Sequence, residues 1–140
     1  MTLVIDAGVA VKFLVREHDT EHARTLITSP QVLIAPDWLL IEAASTFWKK
    51  VKRSELLAVH AERHMDDLPL FFGKLFSSAE LAAEALKLAL RLKHSVYDCL
   101  YLALAIRENT RLVTADEPFY YRVVEHKMGD DVVLLRDFQP

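Results

Sequence analysis

Four acidic residues are the main candidates for chemistry in this sequence: Asp6, Glu42, Asp98 and Asp116. Asp6 and Asp116 directly follow short aliphatic runs, LVI at 3–5 and RLVTA at 111–115. Such runs are typical of strands that are buried on both faces of a sheet. Because the carboxyl ends of parallel strands gather at one edge of a sheet, we expect these two carboxylates to lie close together.

Carboxylates gathered at one edge repel one another, at a cost of several kcal/mol at separations of about 5 Å, unless protons or a cation compensate. Mg²⁺ or Mn²⁺ is the natural compensator, because hard cations take oxygen ligands and need only one or two direct carboxylates besides water and phosphate. Such an ion can lower the pKa of its water and stabilise a leaving oxygen. The sequence therefore predicts a divalent-metal site suited to cutting a phosphodiester, with no cysteine or histidine nucleophile.

The other two acids are placed less firmly by pattern alone. Glu42 lies in a strong helical pattern over 38–53, on a polar stripe made of Glu42, Ser45, Thr46, Lys49 and Arg53. Asp98 stands three residues after Ser95, which is the spacing of a capping box. Each acid also has a structural interpretation, since Asp6 and Asp116 can cap helices and a helical glutamate is usually solvated. The functional interpretation rests on the joint placement of all four.

Alternating strand and helix patterns must position these acids. Strands are predicted at 3–5, 32–35, 111–115 and 132–135, with a less clear strand inside 68–76, where Gly73 interrupts the pattern. Helices are predicted at 9–16, 20–27, 38–53, 55–65, 78–93, 95–108 and 118–126. The apolar face of the third helix is expected to carry Leu40, Ala44, Phe47, Trp48 and Val51. This order predicts an α/β fold with a mostly parallel sheet and helices on both faces.

Length and composition restrict the class of protein. The 140 residues fit a single domain, 1–140, and no apolar run approaches the ~18 residues of a membrane span. The opening MTLVID lacks the basic start of a signal peptide, and Cys99 has no cysteine to pair with, so we expect a cytoplasmic protein with Cys99 in a packing role. The hydrophobic fraction of 52% favours a surface partly covered by another chain, although a tightly packed core would also account for it. The net charge of −3 means that any nucleic-acid binding depends on local cations.

At the acidic residues the sequence resembles the PIN-domain family, in particular the VapC-type ribonuclease toxins of toxin–antitoxin pairs. The resemblance spans essentially the whole chain. It is carried by VIDAGVAVKF at 4–13, IEAASTFWK at 41–49, SVYDCLYLALA at 95–105 and LVTADEPFYYRV at 112–123. It implies a three-layer α/β/α sandwich around a parallel sheet, RNA cleavage that depends on Mg²⁺ or Mn²⁺, a homodimer, and an antitoxin that covers the acidic groove.

The family's site residues can be carried over one position at a time. Asp6, Glu42, Asp98 and Asp116 match its four acids in order, and Thr114 matches the small hydroxyl two residues before the last acid. The resemblance implies that Asp6, Asp98 and Asp116 hold the metal. Glu42 is then expected to ligate it directly or to position an attacking water.

One departure and several rival functions bear on this interpretation. Two residues after the first acid the family often has serine or another small polar residue, whereas this chain has Gly8. A PIN fold that binds its partner without cutting therefore stays open. A phosphoacceptor signalling module fits less well, because it needs a lysine after the last strand, where this chain has Arg136. A haloacid-type phosphatase needs an aspartate at position 8, and three scattered glycines form no nucleotide-binding loop.

Basic and aromatic residues add weaker expectations. Lys49, Lys52 and Arg53, together with Lys12 and Arg16, form either a phosphate-contacting strip or an ordinary solvated face. Trp38, Phe47 and Trp48 have a helical spacing that favours core or dimer contacts over base stacking.

Overall fold

The computed structural model describes residues 1–140, in which five strands form one sheet. The strands are β1 (Thr2–Ile5), β2 (Val32–Pro36), β3 (Lys74–Phe76), β4 (Leu112–Thr114) and β5 (Val132–Leu134). Their order in the sheet is β3-β2-β1-β4-β5, and every neighbouring pair is parallel. The predicted parallel sheet is confirmed, including the strand inside 68–76.

Seven α-helices connect these strands. They are α1 (Ala7–Val11), α2 (Thr20–Thr28), α3 (Trp38–Lys52), α4 (Ala58–Asp67), α5 (Ser78–Leu92), α6 (Val96–Arg107) and α7 (Glu117–Glu125). Short 3-10 helices occupy Leu68–Phe71, Gly129–Asp131 and Leu135–Asp137. None of the helices has the length and apolarity required to cross a bilayer.

The strand order determines where the helices lie. From β1 the chain steps outward to β2 and β3, and it then returns past β1 to form β4 and β5 on the other side. Because parallel crossovers are right-handed, the reversal places α1 to α4 on one face and α5 to α7 on the other. The result is the three-layer α/β/α sandwich that the resemblance implied. The reversal falls between β1 and β4, which is where ligands bind in open α/β sheets.

The core lies on both sides of the central strand. Val4 and Ile5 of β1 are fully buried, and α6 is buried continuously from Cys99 to Ala105, as its apolar composition predicted. Burial, with a smaller contribution from Asp98, raises the pKa of the Cys99 thiol to about 12. The thiol therefore stays protonated at neutral pH, which agrees with a packing role.

Two local features differ from the sequence pattern. The first helix begins at Ala7 and ends at Val11, because Asp6 caps it two residues earlier than the predicted start. The buried face of α3 consists of Leu39, Ala43 and Phe47, so the prediction was right for Phe47 but one residue off for Leu40 and Ala44. Trp48, expected on that apolar face, is 60% exposed.

Gly73 explains why the edge strand was difficult to recognise. A Cβ atom at this position would lie 2.4 Å from Cγ1 of Val32, so only glycine allows the backbone to come this close to β2. The amide of Gly73 donates a 2.9 Å hydrogen bond to the Leu33 carbonyl just before β3 begins. Gly73 therefore interrupts the strand pattern in the sequence and also allows the chain to lie close to β2 where β3 begins.

Candidate metal centre at the sheet edge

A cavity of about 240 Å³ opens at the carboxyl ends of β1 and β4. Its walls are formed by Asp6, Ala7, Gly8, Glu42, Thr46, Asp98, Tyr101, Ala115 and Asp116. All four acids singled out in the sequence therefore border one cavity. Two of them directly follow central strands, one comes from α3 and one from the first turn of α6.

The two strand-end acids cap helices and border the cavity at the same time. Oδ1 of Asp6 accepts a 2.9 Å hydrogen bond from the Val9 amide, and Oδ1 of Asp116 accepts a 3.1 Å hydrogen bond from the Phe119 amide. In each cap the helix amide contacts Oδ1, so Oδ2 takes no part in the capping. The capping and functional interpretations are therefore compatible at both positions.

The hydroxyl of Thr114 connects these two acids. Thr114 is the last residue of β4 and is fully buried. Its Oγ1 accepts a 3.1 Å hydrogen bond from the Asp116 amide, and its hydroxyl also hydrogen-bonds to the Asp6 carboxylate. One buried hydroxyl thus fixes the relative positions of the first and fourth acids.

Glu42 is held by a residue that the sequence patterns did not single out. The phenol of Tyr101 in α6 donates a 2.8 Å hydrogen bond to Oε1 of Glu42. Burial raises the pKa of Glu42, the Tyr101 hydrogen bond lowers it, and the charge of Asp98 raises it further. The sequence pattern was equally consistent with a solvated Glu42, but the structure places this side chain at the cavity.

Asp98 is paired with a histidine rather than with a helix cap. Nε2 of His94 lies 2.6 Å from Oδ2 of Asp98, and the imidazole packs at 4.6 Å against the ring of Phe119. The hydroxyl of Ser95 caps α6 by accepting a 3.2 Å hydrogen bond from the Tyr97 amide, but the reciprocal bond of a capping box is absent. The Asp98 carboxylate consequently faces the acidic cavity.

The electrostatics of this cluster favour a bound cation. Burial raises the pKa of Asp6 to about 7, two hydrogen bonds lower it, and the charges of Asp98 and Glu42 raise it further. Burial likewise raises the pKa of Asp98, while His94 lowers it and Asp116 raises it. Carboxylates whose ionisation is opposed by burial and by one another gain the most from a positive ion between them.

The donor set fits a hard divalent ion. Ligand atoms of His94, Asp98 and Asp116 all lie within 4.8 Å of one another, and Asp6 and Glu42 line the same cavity. Carboxylate oxygens suit Mg²⁺ or Mn²⁺, and Nε2 of His94 is engaged in its hydrogen bond with Asp98. The residues present are therefore compatible with the metal expected from the sequence.

Sequence reasoning missed His94 and Tyr101, although a periodic signal was present for both. His94 lies four residues before Asp98 and Tyr101 lies three residues after it. This spacing places the three residues on one side of α6 and of the turn that precedes it. In the sequence, Tyr101 was interpreted as one more buried residue of a helix that is apolar nearly all round. Only its contact with α3, which is distant in sequence, distinguishes it from a core residue.

The predicted basic strip is divided in the structure. Nζ of Lys12 lies 3.3 Å from Glu17 and donates a 2.7 Å hydrogen bond to the His18 carbonyl, and its side chain is only 12% exposed. Arg16 forms a 3.0 Å ion pair with Glu21. These two cations are engaged with the protein. Three remain exposed near the end of α3: Lys49, Lys52 and Arg53.

Comparisons with known proteins find similar chains over most of this sequence. The family model described as "PIN domain" matches residues 3–124. The chain is 34% identical over 118 residues to "Ribonuclease VapC3" from Pyrobaculum aerophilum, a match that covers 83% of this chain and 90% of that protein. The crystal structure of PAE2754 from the same organism superposes with a TM-score of 0.74 at 19% identity, covering 97% of this chain and 92% of the other. The latter likeness is one of fold.

Proposed function

The chain belongs to the PIN-domain family, and from this premise we propose that it is an endoribonuclease that hydrolyses RNA phosphodiester bonds with a divalent metal ion. The observation that carries the proposal is the convergence of four carboxylates on one cavity at the strand-order reversal. The likeness to a protein named as a ribonuclease supports RNA as the substrate.

Each residue of the cavity has a proposed part in this reaction. Asp6, Asp98 and Asp116 would hold Mg²⁺ or Mn²⁺, and Glu42 would ligate the ion or orient the attacking water. When bound, the ion supplies Lewis acidity toward the water and the leaving oxygen. Because Tyr101 engages only Oε1 of Glu42, the other oxygen stays available to accept a proton from water.

The remaining contacts keep the acids in position. Thr114 ties Asp6 to Asp116 through its buried hydroxyl, which limits the separation of the first and fourth carboxylates. His94 hydrogen-bonds Asp98 and lowers its pKa, which favours the ionised form that a metal requires. Lys49 and Arg53 lie on the same stripe of α3 as Glu42 and are suited to contacting RNA phosphates.

We further propose that residues 1–140 act as a single nuclease domain that forms a homodimer and is restrained by an antitoxin. Exposed apolar side chains support a covered surface: Ile41, Trp48, Leu86 and Leu90 are each at least half exposed. Light scattering of the purified chain tests the dimer. Co-purification with the product of the neighbouring gene, together with relief of growth arrest, tests the antitoxin, and a harmless monomer with no associating neighbour would contradict the toxin role.

Gly8 supports one alternative, a PIN fold that binds RNA or its partner but cuts weakly. A Cβ atom at Gly8 would lie 3.6 Å from Oδ1 of Asp6, so a serine hydroxyl at this position would stand beside the first acid. The chain lacks that hydroxyl, and with it a contact to metal, water or phosphate. Cleavage rates decide between the two functions.

The experiment compares cleavage of a panel of structured RNAs by the native chain, Asp98→Asn and Asp130→Asn, with Mg²⁺, Mn²⁺ or EDTA. Asp130 is an exposed acid away from the cavity and provides the matched control. We expect cutting by the native chain and by Asp130→Asn with either metal, and loss of cutting in EDTA or with Asp98→Asn. Cutting that persists in EDTA, or in Asp98→Asn, would overturn the proposed metal-dependent reaction.

A further inference from the structure

Two aromatic rings stack between the first turns of α3 and α6. The rings of Trp38 and Tyr97 lie 5.2 Å apart between centroids and only 7° from parallel. Trp38 opens α3 and is half-buried, whereas Tyr97, the second residue of α6, is 55% exposed. Trp38 packs against the edge of the core, as the sequence predicted, and it also stacks on a ring that presents surface to solvent.

The position of this pair follows from helix periodicity. Trp38 stands four residues before Glu42, and Tyr97 stands four residues before Tyr101. Side chains four apart lie on the same helix face, about one 5.4 Å turn from each other. The stacked rings therefore lie about one turn toward the N-terminal ends of α3 and α6 from the hydrogen bond that joins Tyr101 to Glu42, and Asp98 directly follows Tyr97 in the chain.

We propose that the exposed face of Tyr97, backed by Trp38, is a stacking subsite for one unpaired nucleobase of an RNA whose neighbouring phosphate occupies the acidic cavity. This subsite rests on the proposed ribonuclease function. A ring held parallel by a second ring loses little conformational freedom when a base stacks on it. Because every base has a π-face, the subsite selects single-stranded RNA rather than a sequence.

The surroundings of Tyr97 favour a nucleotide over a protein side chain. A protein side chain on Tyr97 would leave the cavity beside it, which is lined by the adjacent Asp98, without a ligand. A nucleotide instead places its neutral base on the ring and its phosphate, with the cation, beside the acids. The stacked rings and the acidic cavity then bind neighbouring parts of the same RNA.

The first test is the affinity for a short fluorescent single-stranded RNA, measured by anisotropy with Ca²⁺ in place of Mg²⁺ and with the RNA checked for integrity. The variants are Tyr97→Leu, Tyr97→Phe and, as the matched control, Tyr121→Leu. Tyr121 is a half-exposed tyrosine on α7 outside the cavity. We expect Tyr97→Leu to bind about 5- to 150-fold more weakly than the native chain, whereas the other two stay close to it.

The second test scans a single abasic site along the same RNA. At one position the missing base should weaken binding to the native chain but have little further effect on Tyr97→Leu, which is the signature of a direct contact in a double-mutant cycle. Additive losses at every position overturn the subsite, as does a Tyr97→Leu variant whose dimer mass changes while its RNA affinity does not. A native chain that neither binds nor cuts RNA overturns the proposed function together with the subsite.

Discussion

The phenol of Tyr101 donates a 2.8 Å hydrogen bond to Oε1 of Glu42, so a residue of the helix before β4 fixes a carboxylate on the helix after β2. Tyr101 is otherwise buried in an apolar helix. Burial, together with the neighbouring charges of Glu42 and Asp6, raises the pKa of its phenol well above the usual value. Tyr101 is therefore a permanent donor at neutral pH, and it positions Glu42 without adding charge to the cavity.

Replacing Tyr101 with phenylalanine should lower kcat more than it changes KM. The ring and its packing remain, but losing a hydrogen bond to a charged group costs about 1.5 kcal/mol, or roughly tenfold in rate. Since the Tyr101 bond lowers the pKa of Glu42, its loss should also shift the acid limb of the pH–rate profile to higher pH. Cleavage kinetics across pH measure both effects, with Tyr121→Phe as the control. Unchanged kcat and an unmoved acid limb would show that Glu42 does not depend on this contact.

How far the sequence determines the site depends on the kind of relationship involved. Asp6 and Asp116 were predictable because each ends a buried run, and parallel strands bring such ends together whatever their order. Thr114, Glu42 and Asp98 required the family resemblance, since a capping box and a solvated stripe were equally consistent with the local pattern. His94 and Tyr101 were missed because their roles arise from contacts between side chains, and helix periodicity does not report which side chain meets which.

The same reasoning explains the mistake on α3. Its predicted apolar face included Trp48, which is exposed, because a large aromatic residue counts toward an apolar stripe wherever it points. Phe47 is buried as predicted, but its buried neighbours are Leu39 and Ala43 rather than Leu40 and Ala44. An apolar stripe is wide enough that a shift of about one residue does not change its pattern in the sequence. Only the packing of α3 against its neighbours determines which of its residues are buried.

Replacing His94 with glutamine should make cleavage more sensitive to acid. His94 lowers the pKa of Asp98, whereas burial raises it, so removing the imidazole leaves the opposing effect of burial uncompensated. We expect the acid limb of kcat/KM to move to higher pH, with little change in rate above it. His60→Gln on the exposed face of α4 is the control, and thermal melts check that the contact with Phe119 is not needed for folding. An acid limb that stays in place would contradict the role of His94.

Replacing Asp6 with asparagine should stabilise the metal-free protein near neutral pH. The folded chain binds the Asp6 proton up to about pH 7, whereas an unfolded aspartate loses it near 3.8. Ionisation therefore opposes folding, and the stability of the native chain should decline as pH rises through this window. Asparagine keeps the cap at Val9 and removes the charge. At about 1.4 kcal/mol per pKa unit, less any relaxation, the unfolding free energy should rise by about 1–3 kcal/mol near pH 7.

Urea unfolding in EDTA at several pH values measures this effect. The difference between Asp6→Asn and the native chain should shrink toward zero as the pH approaches 4, because both side chains are then neutral. Asp130→Asn, which alters an exposed acid, should show no comparable dependence. A constant difference at all pH values would mean that the substitution acts through packing rather than through the buried charge.

Replacing Gly8 with serine tests whether the missing hydroxyl limits activity. The added Cβ atom would make an ordinary 3.6 Å contact with Oδ1 of Asp6, and no glycine in the chain has positive φ, so the position accepts a side chain without strain. Alanine is the matched control, because it adds the same Cβ but no hydroxyl, and its larger gain in helix propensity is at most about 1 kcal/mol. We expect Gly8→Ser to cleave RNA several-fold faster than Gly8→Ala at similar thermal stability. Equal rates for the two variants would show that the acids and their metal act without a hydroxyl at this position.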